Sequence, residues 1–129
     1  MAANLQSDDL QGIPMTEDAF MQMISVESEY RYELIDGIVY DMTGSTPEHS
    51  AIASNVESLL REQVGRSGPC RVHHDQYVMI PNKPAVVPDV VLTCDRGDWD
   101  KDKRLEPFMI RSSLIVVEVL SPSTQSMMG

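Results

Sequence analysis

Leu114-Ile115-Val116-Val117-Glu118-Val119-Leu120 is the stretch on which the reading of this chain turns. It is β-branched and apolar on both alternating faces, the pattern of a central strand covered on both sides of a sheet. Glu118 interrupts it. An unpaired carboxylate in such a setting is costly to bury, so something has to compensate it: a partner arginine, a raised pKa, or a metal ion at the strand end. That one residue marks both the core of the fold and the first place to look for chemistry.

Working outward, a second isolated carboxylate lies between Val86-Val87-Pro88 and Val90-Val91-Leu92. Asp89 read alone is a strand-edge or bulge residue beside a proline. Two such acids in two separate apolar strands are harder to dismiss. If the strands are neighbours, both side chains converge on one Mg²⁺ or Mn²⁺, the hard-cation arrangement that activates water and holds a phosphate.

The remaining elements predict an α/β domain. Residues 1–13 are polar and without period and read as a loose leader, leaving residues 14–129 as one domain. Thr16 caps a helix whose Ala19, Phe20, Met23 and Ile24 share a face. Tyr30, Tyr32 and Leu34 then alternate with Arg31 and Glu33, and Asp36-Gly37 supplies the two-residue turn of a β-hairpin ending in Ile38-Val39-Tyr40. A second helix starts at Ser45 or Thr46 with Pro47 early in it, and its expected buried stripe is Ile52, Val56, Leu59 and Leu60. Arg71 to Ile80 and Ala85 to Cys94 read as two strands turning near Asn82. Asp95 to Arg111 reads as a charged, solvated excursion.

Composition narrows the function classes. A formal charge of −10 over 129 residues disfavours non-specific binding to nucleic acid through a basic surface. A metal ion and a few arginines could still supply positive charge locally. There is no apolar run long enough for a membrane span and no basic n-region of a signal peptide, which predicts a cytoplasmic protein. Cys70 and Cys94 lack metal-ligand spacing. They could face each other across the predicted hairpin, but the compartment favours free thiols.

Tyr32-Glu33-Leu34-Ile35-Asp36-Gly37, Pro47-Glu48-His49, Val87-Pro88-Asp89-Val90-Val91 and Val117-Glu118-Val119-Leu120-Ser121-Pro122-Ser123-Thr124 follow one another in an order that resembles the Uma-two family of the PD-(D/E)XK nuclease superfamily. The resemblance covers residues 15 to 124. It implies a restriction-endonuclease-like α-β-β-β-α-β core preceded by a helix and hairpin, and an endonuclease cleaving DNA phosphodiester bonds. Asp89 matches the aspartate of the PD element and Glu118 the acidic residue of the (D/E)XK element. Both would bind Mg²⁺ or Mn²⁺, with Glu33 as an additional acidic member of the catalytic set.

The pattern also departs from the superfamily. Leu120 stands where a lysine is expected two residues after Glu118, and in the Uma-two family that lysine lies on the following helix. The chain as given ends before such a helix and its strand. The expectation is therefore a domain incomplete at its C-terminus and inactive as it stands, with an unpaired strand edge along Leu114 to Leu120 open to a second copy. The competing reading is a non-catalytic remnant or interaction module on the same scaffold. Lys83, Lys101 and Lys103 lie on turns or the charged excursion, away from the expected site.

Other signals carry less. His49, in the first turn of a helix, could touch a phosphate but reads first as a surface or capping residue. His73 and His74 are adjacent on a strand, point to opposite faces and share no metal. Asp75 would pair roughly opposite Asp89 if the register holds. The acids Asp95, Asp98, Asp100 and Asp102 do not match a calcium loop, because Lys103 and Met109 occupy its glycine and glutamate positions.

Overall fold

The computed structural model describes residues 10–26, 28–100, 102 and 109–120. Three helices and eight strands appear among them: α1 (Glu17–Ile24), β1 (Tyr32–Ile35), β2 (Ile38–Asp41), α2 (Pro47–Val64), β3 (Arg71–His73), β4 (Tyr77–Ile80), β5 (Lys83–Val86), β6 (Val90–Thr93), α3 (Arg96–Trp99), β7 (Met109–Ile110) and β8 (Ser113–Val117). The mixed α/β class expected from the sequence is what forms.

Local chemistry sets the N-terminal elements. Thr16 Oγ1 accepts a hydrogen bond from Ala19 N at 3.2 Å and starts α1, whose Phe20 and Ile24 are buried. Each such side chain contributes roughly 1.5–3 kcal/mol of burial. The β1–β2 hairpin turns on Asp36 (φ 50°) and Gly37 (φ 78°), consecutive left-handed residues that match strand twist in a two-residue turn. Of the leader expected over residues 1–13, residues 1–9 lie outside the described set. Residues 10–13 run against β2, where Gly12 N donates to Val39 O at 2.8 Å and Val39 N to Ile13 O at 2.9 Å.

The two long strands expected over 71–80 and 85–94 are each broken in the middle. Their turn does fall at Asn82 (φ 63°), and the antiparallel register continues through both halves, from Val78↔Val86 to His73↔Val91. Between these pairs Asp75 takes a left-handed φ of 57° and Pro88 has no N–H to give the ladder. The hairpin therefore bends at His74-Asp75 and Val87-Pro88-Asp89, and its halves join different sheets. One has the order β3-β6-β8 and the other β5-β4-β7. Extending the register past Arg71↔Thr93 puts Cys70 opposite Cys94, and the two form a disulfide, contrary to the free thiols expected.

Helix α2 covers one face of the first sheet. Ala53, Val56, Leu60 and Val64 pack on Val72, Val90 and Leu92, while Val78, Val91 and Ile110 form a separate cluster. The expected stripe is corrected here: Ile52 and Leu59 are exposed, and the buried polar residue of the helix is Glu57. The sheet reaches only one side of α2, so the apolar residues one position back from the contact line stay in solvent.

The final strand has the open edge expected of it but not the expected cover on both faces. Among the described residues β8 pairs with β6 alone and is the edge of its sheet, with Leu114, Ile115 and Val116 exposed rather than covered on both faces. Glu118 lies just past its end. The solvated excursion over 95–111 holds a short helix and β7, and its Asp98 is buried. Lys101, Lys103 and residues 104–108 fall outside the described set. Among the described residues no helix is long and apolar enough to cross a membrane.

Candidate active site

The bend in the hairpin is where the sequence-predicted acids come together. At Val87-Pro88-Asp89 the β5–β6 strand leaves its ladder, and its backbone needs partners from elsewhere. Glu33, on β1, supplies one: its Oε2 accepts from Val87 N at 2.7 Å. β8 supplies the next, as Asp89 N donates to Val117 O at 3.0 Å and Asp89 Oδ2 accepts from Val119 N at 2.6 Å. Extending the β6–β8 register one step past Val90↔Val117 sets Asp89 opposite Glu118. Glu33, Asp89 and Glu118 are thus gathered from β1, the bend before β6 and the end of β8.

Their electrostatics agree with that placement. Glu118 keeps solvent on one side, yet the surrounding protein, then Asp89 and then Glu33, push its pKa up to about 7. Burial raises the Glu33 carboxyl too; the hydrogen bond from Val87 N pulls it back and the charge of Asp89 adds to the rise. The charge of Asp89 thus bears on both glutamates and that of Glu33 on Glu118, and a cation would relieve that repulsion.

His49 joins the same site. Thr46 Oγ1 accepts from His49 N at 3.2 Å and caps α2, as the sequence indicates. The imidazole goes further: Nε2 lies 3.1 Å from Asp89 Oδ1, while Nδ1 is buried without a partner among the described residues. A cleft of about 400 Å³ opens beside them, between the 42–45 loop, the first turns of α2 and the two bends of the hairpin.

The donor set suits a hard divalent ion in kind, being oxygen only and mutually repulsive. Among the described residues no three or more His, Cys, Asp or Glu side chains stand together in metal-holding geometry. Mg²⁺ commonly takes one or two carboxylates and completes its shell with water and phosphate, so two acids satisfy its requirement. Lys83 begins β5 and is exposed. His74 and Asp75 line the same cleft as Asp89, and Asp75 does not pair in the ladder among the described residues.

Sequence reasoning missed Glu57. It lies in the packed stripe of α2, where Arg61 and His74 both bond to its Oε2. The signal was present as a charged residue flanked by Ala53, Val56 and Leu60 and followed by an arginine at i+4.

Comparison with known proteins fits this geometry. The pattern of the Uma2 family, described as "Putative restriction endonuclease", matches residues 17–129. An uncharacterized protein of Synechocystis sp. is 34% identical over 98 residues, covering 74% of this chain and 48% of that protein. A crystal structure from Anabaena variabilis, described as a "putative nuclease belonging to DUF820", superposes with a TM-score of 0.63 at 23% identity, covering 85% of this chain and 60% of that one. That likeness establishes the fold. The chain spans about half the length of the curated relative it matches.

Proposed function

The chain belongs to the Uma2 family, and on that footing we propose that the cleft beside Glu33, Asp89 and Glu118 is the site of a metal-dependent endonuclease acting on DNA. The observation that carries this reading is the convergence of three acids from three segments. Asp89 and Glu118 stand opposite each other in register, Asp89 raises the pKa of both glutamates, and Glu33 adds to the rise at Glu118.

Asp89 and Glu118 are the residues that would hold Mg²⁺ or Mn²⁺, with Glu33 beside them. Such an ion supplies a bound water of lowered pKa and positive charge to offset a phosphodiester. The chain's own contribution is to fix the donors. Asp89 is oriented by Val119 N and His49, and Glu33 by Val87 N. Glu118 accepts no hydrogen bond among the described residues and exchanges its proton near neutrality.

One observation favours a second reading. Leu120 occupies the position where the superfamily pattern wants a lysine, and β8 presents an exposed apolar edge. On that reading the domain is an interaction module, or pairs with a second copy along β8.

Thermal unfolding with and without Mn²⁺, for the parent chain and for Asp89→Asn and Glu118→Gln, separates the two. Mn²⁺ at about 100 times its Kd stabilises the native state by roughly 2.7 kcal/mol, several degrees at this size. The endonuclease reading expects that rise in the parent and its loss in either variant. A melt indifferent to Mn²⁺ leaves only the interaction module.

A further inference from the structure

The far wall of the cleft carries a second constellation that the three acids do not use. Glu57 is 8% exposed. Its Oε2 receives Arg61 Nη2 at 2.5 Å and His74 Nδ1 at 2.9 Å. Arg61 Nη2 also donates to Val72 O at 3.0 Å, which ties the group to β3. His74, by contrast, has a side chain 66% exposed. A buried, ion-paired carboxylate is therefore spent on orienting one exposed imidazole. Nδ1 is committed to Glu57, and Nε2 is the ring's uncommitted nitrogen.

Position gives this pair a use. His49, Ser50, Ser54, Glu57, His74 and Asp89 all line the same cleft. His49 and Glu57 are eight residues apart on α2, a rise of about 12 Å. Successive phosphates of one strand lie about twice as far apart through space as the axial advance of about 3.4 Å per nucleotide, so about two nucleotides separate a phosphate at Asp89 from one at His74. Arg61 offsets the charge of Glu57, and Asp75 on the same wall has Arg31 Nε at 3.9 Å from its Oδ1.

We propose that His74, anchored by Glu57, is a phosphate-binding subsite of this cleft that grips the DNA backbone about two nucleotides from the phosphate at Asp89. The proposal rests on the endonuclease reading and deepens it. An imidazole bridging Glu57 and a phosphate carries a proton on each nitrogen and makes a charge-assisted hydrogen bond to each anion. The contact is to backbone and reads no sequence.

The test is binding of short fluorescent DNA duplexes of two unrelated sequences to the full 129-residue chain, across a salt series. Ca²⁺ serves as the cation because it takes the same oxygen donors. His74→Gln should weaken both duplexes alike, about tenfold, and lower the slope of log affinity against log salt by about one. Its thermal melt should match the parent, since His74 is exposed. His74→Arg, which keeps a cation there, should restore affinity and slope. Affinity and slope unchanged in His74→Gln overturn the subsite and leave the endonuclease reading standing. No duplex binding by the parent also overturns the subsite, and if Mn²⁺ then leaves the melt unmoved, the endonuclease reading falls with it.

Discussion

The β6–β8 ladder has a carboxylate at each end, and the surroundings of the two are opposite. At one end Asp98 accepts from Thr93 Oγ1 at 2.6 Å, Arg111 N at 2.9 Å and Ser112 N at 3.1 Å. At the other, Glu118 accepts no hydrogen bond among the described residues and faces Asp89 and Glu33. Both interrupt sequence that is otherwise structural. The difference shows that a buried acid is not in itself a functional signal: three donors around Asp98 make it an anchor, whereas two like charges beside Glu118 leave it a demand for a cation.

The largest effect expected from that contrast is at Asp98. Asp98→Ala leaves two backbone N–H groups without their acceptor and the buried Thr93 hydroxyl with Ser112 O alone, and should cost about 3 kcal/mol in chemical denaturation. A loss below about 1 kcal/mol would mean that water replaces the carboxylate and that the two ends are less different than they look. Next in size is the Mn²⁺-dependent rise in Tm, which Asp98 should not influence beyond its effect on folding and which Asp89→Asn should abolish.

A smaller effect concerns pH. The folded pKa of Glu118, about 7, lies above its ordinary 4.5, so the native state keeps a proton that the unfolded chain has already released in that window. Stability from this group is complete below pH 4.5 and declines as pH rises towards about 7. Glu118→Gln removes the decline. In metal-free buffer its melt should match the parent in acid and exceed it above neutrality. Solvent on one side of Glu118 keeps the difference modest, and a variant less stable than the parent at pH 8 would show that the repulsion is not there. Smallest of all, Leu114→Lys on the exposed edge of β8 should change stability by no more than about 0.5 kcal/mol. It should abolish any self-association that sedimentation detects in the parent. Association that persists in the variant would place the contact elsewhere, on a surface such as Ile52 and Leu59 of α2.

Much of the site was legible because its residues break a pattern. Asp89 and Glu118 stand out as charges in apolar runs, and Glu33 follows from the ordered family resemblance. Thr16, Thr46, Pro47 and Asp36-Gly37 announce their caps and turn because these are interactions among residues close in sequence. Glu57 and His74 were less legible. Their bond joins residues 17 apart across a helix and a strand end, and no local period records it.

By itself, then, the sequence determined the α/β class, the first two helices and the tight hairpin, since periodicity and capping act locally along the chain. Only the tertiary structure decided that the long hairpin bends at Asp75 and Pro88 and that Ile52 and Leu59 stay in solvent. It also decided that His49 reaches Asp89 and that Cys70 meets Cys94. The physical reason is that each of these depends on which backbone groups and faces find partners from distant segments, and that is set when the sheets assemble.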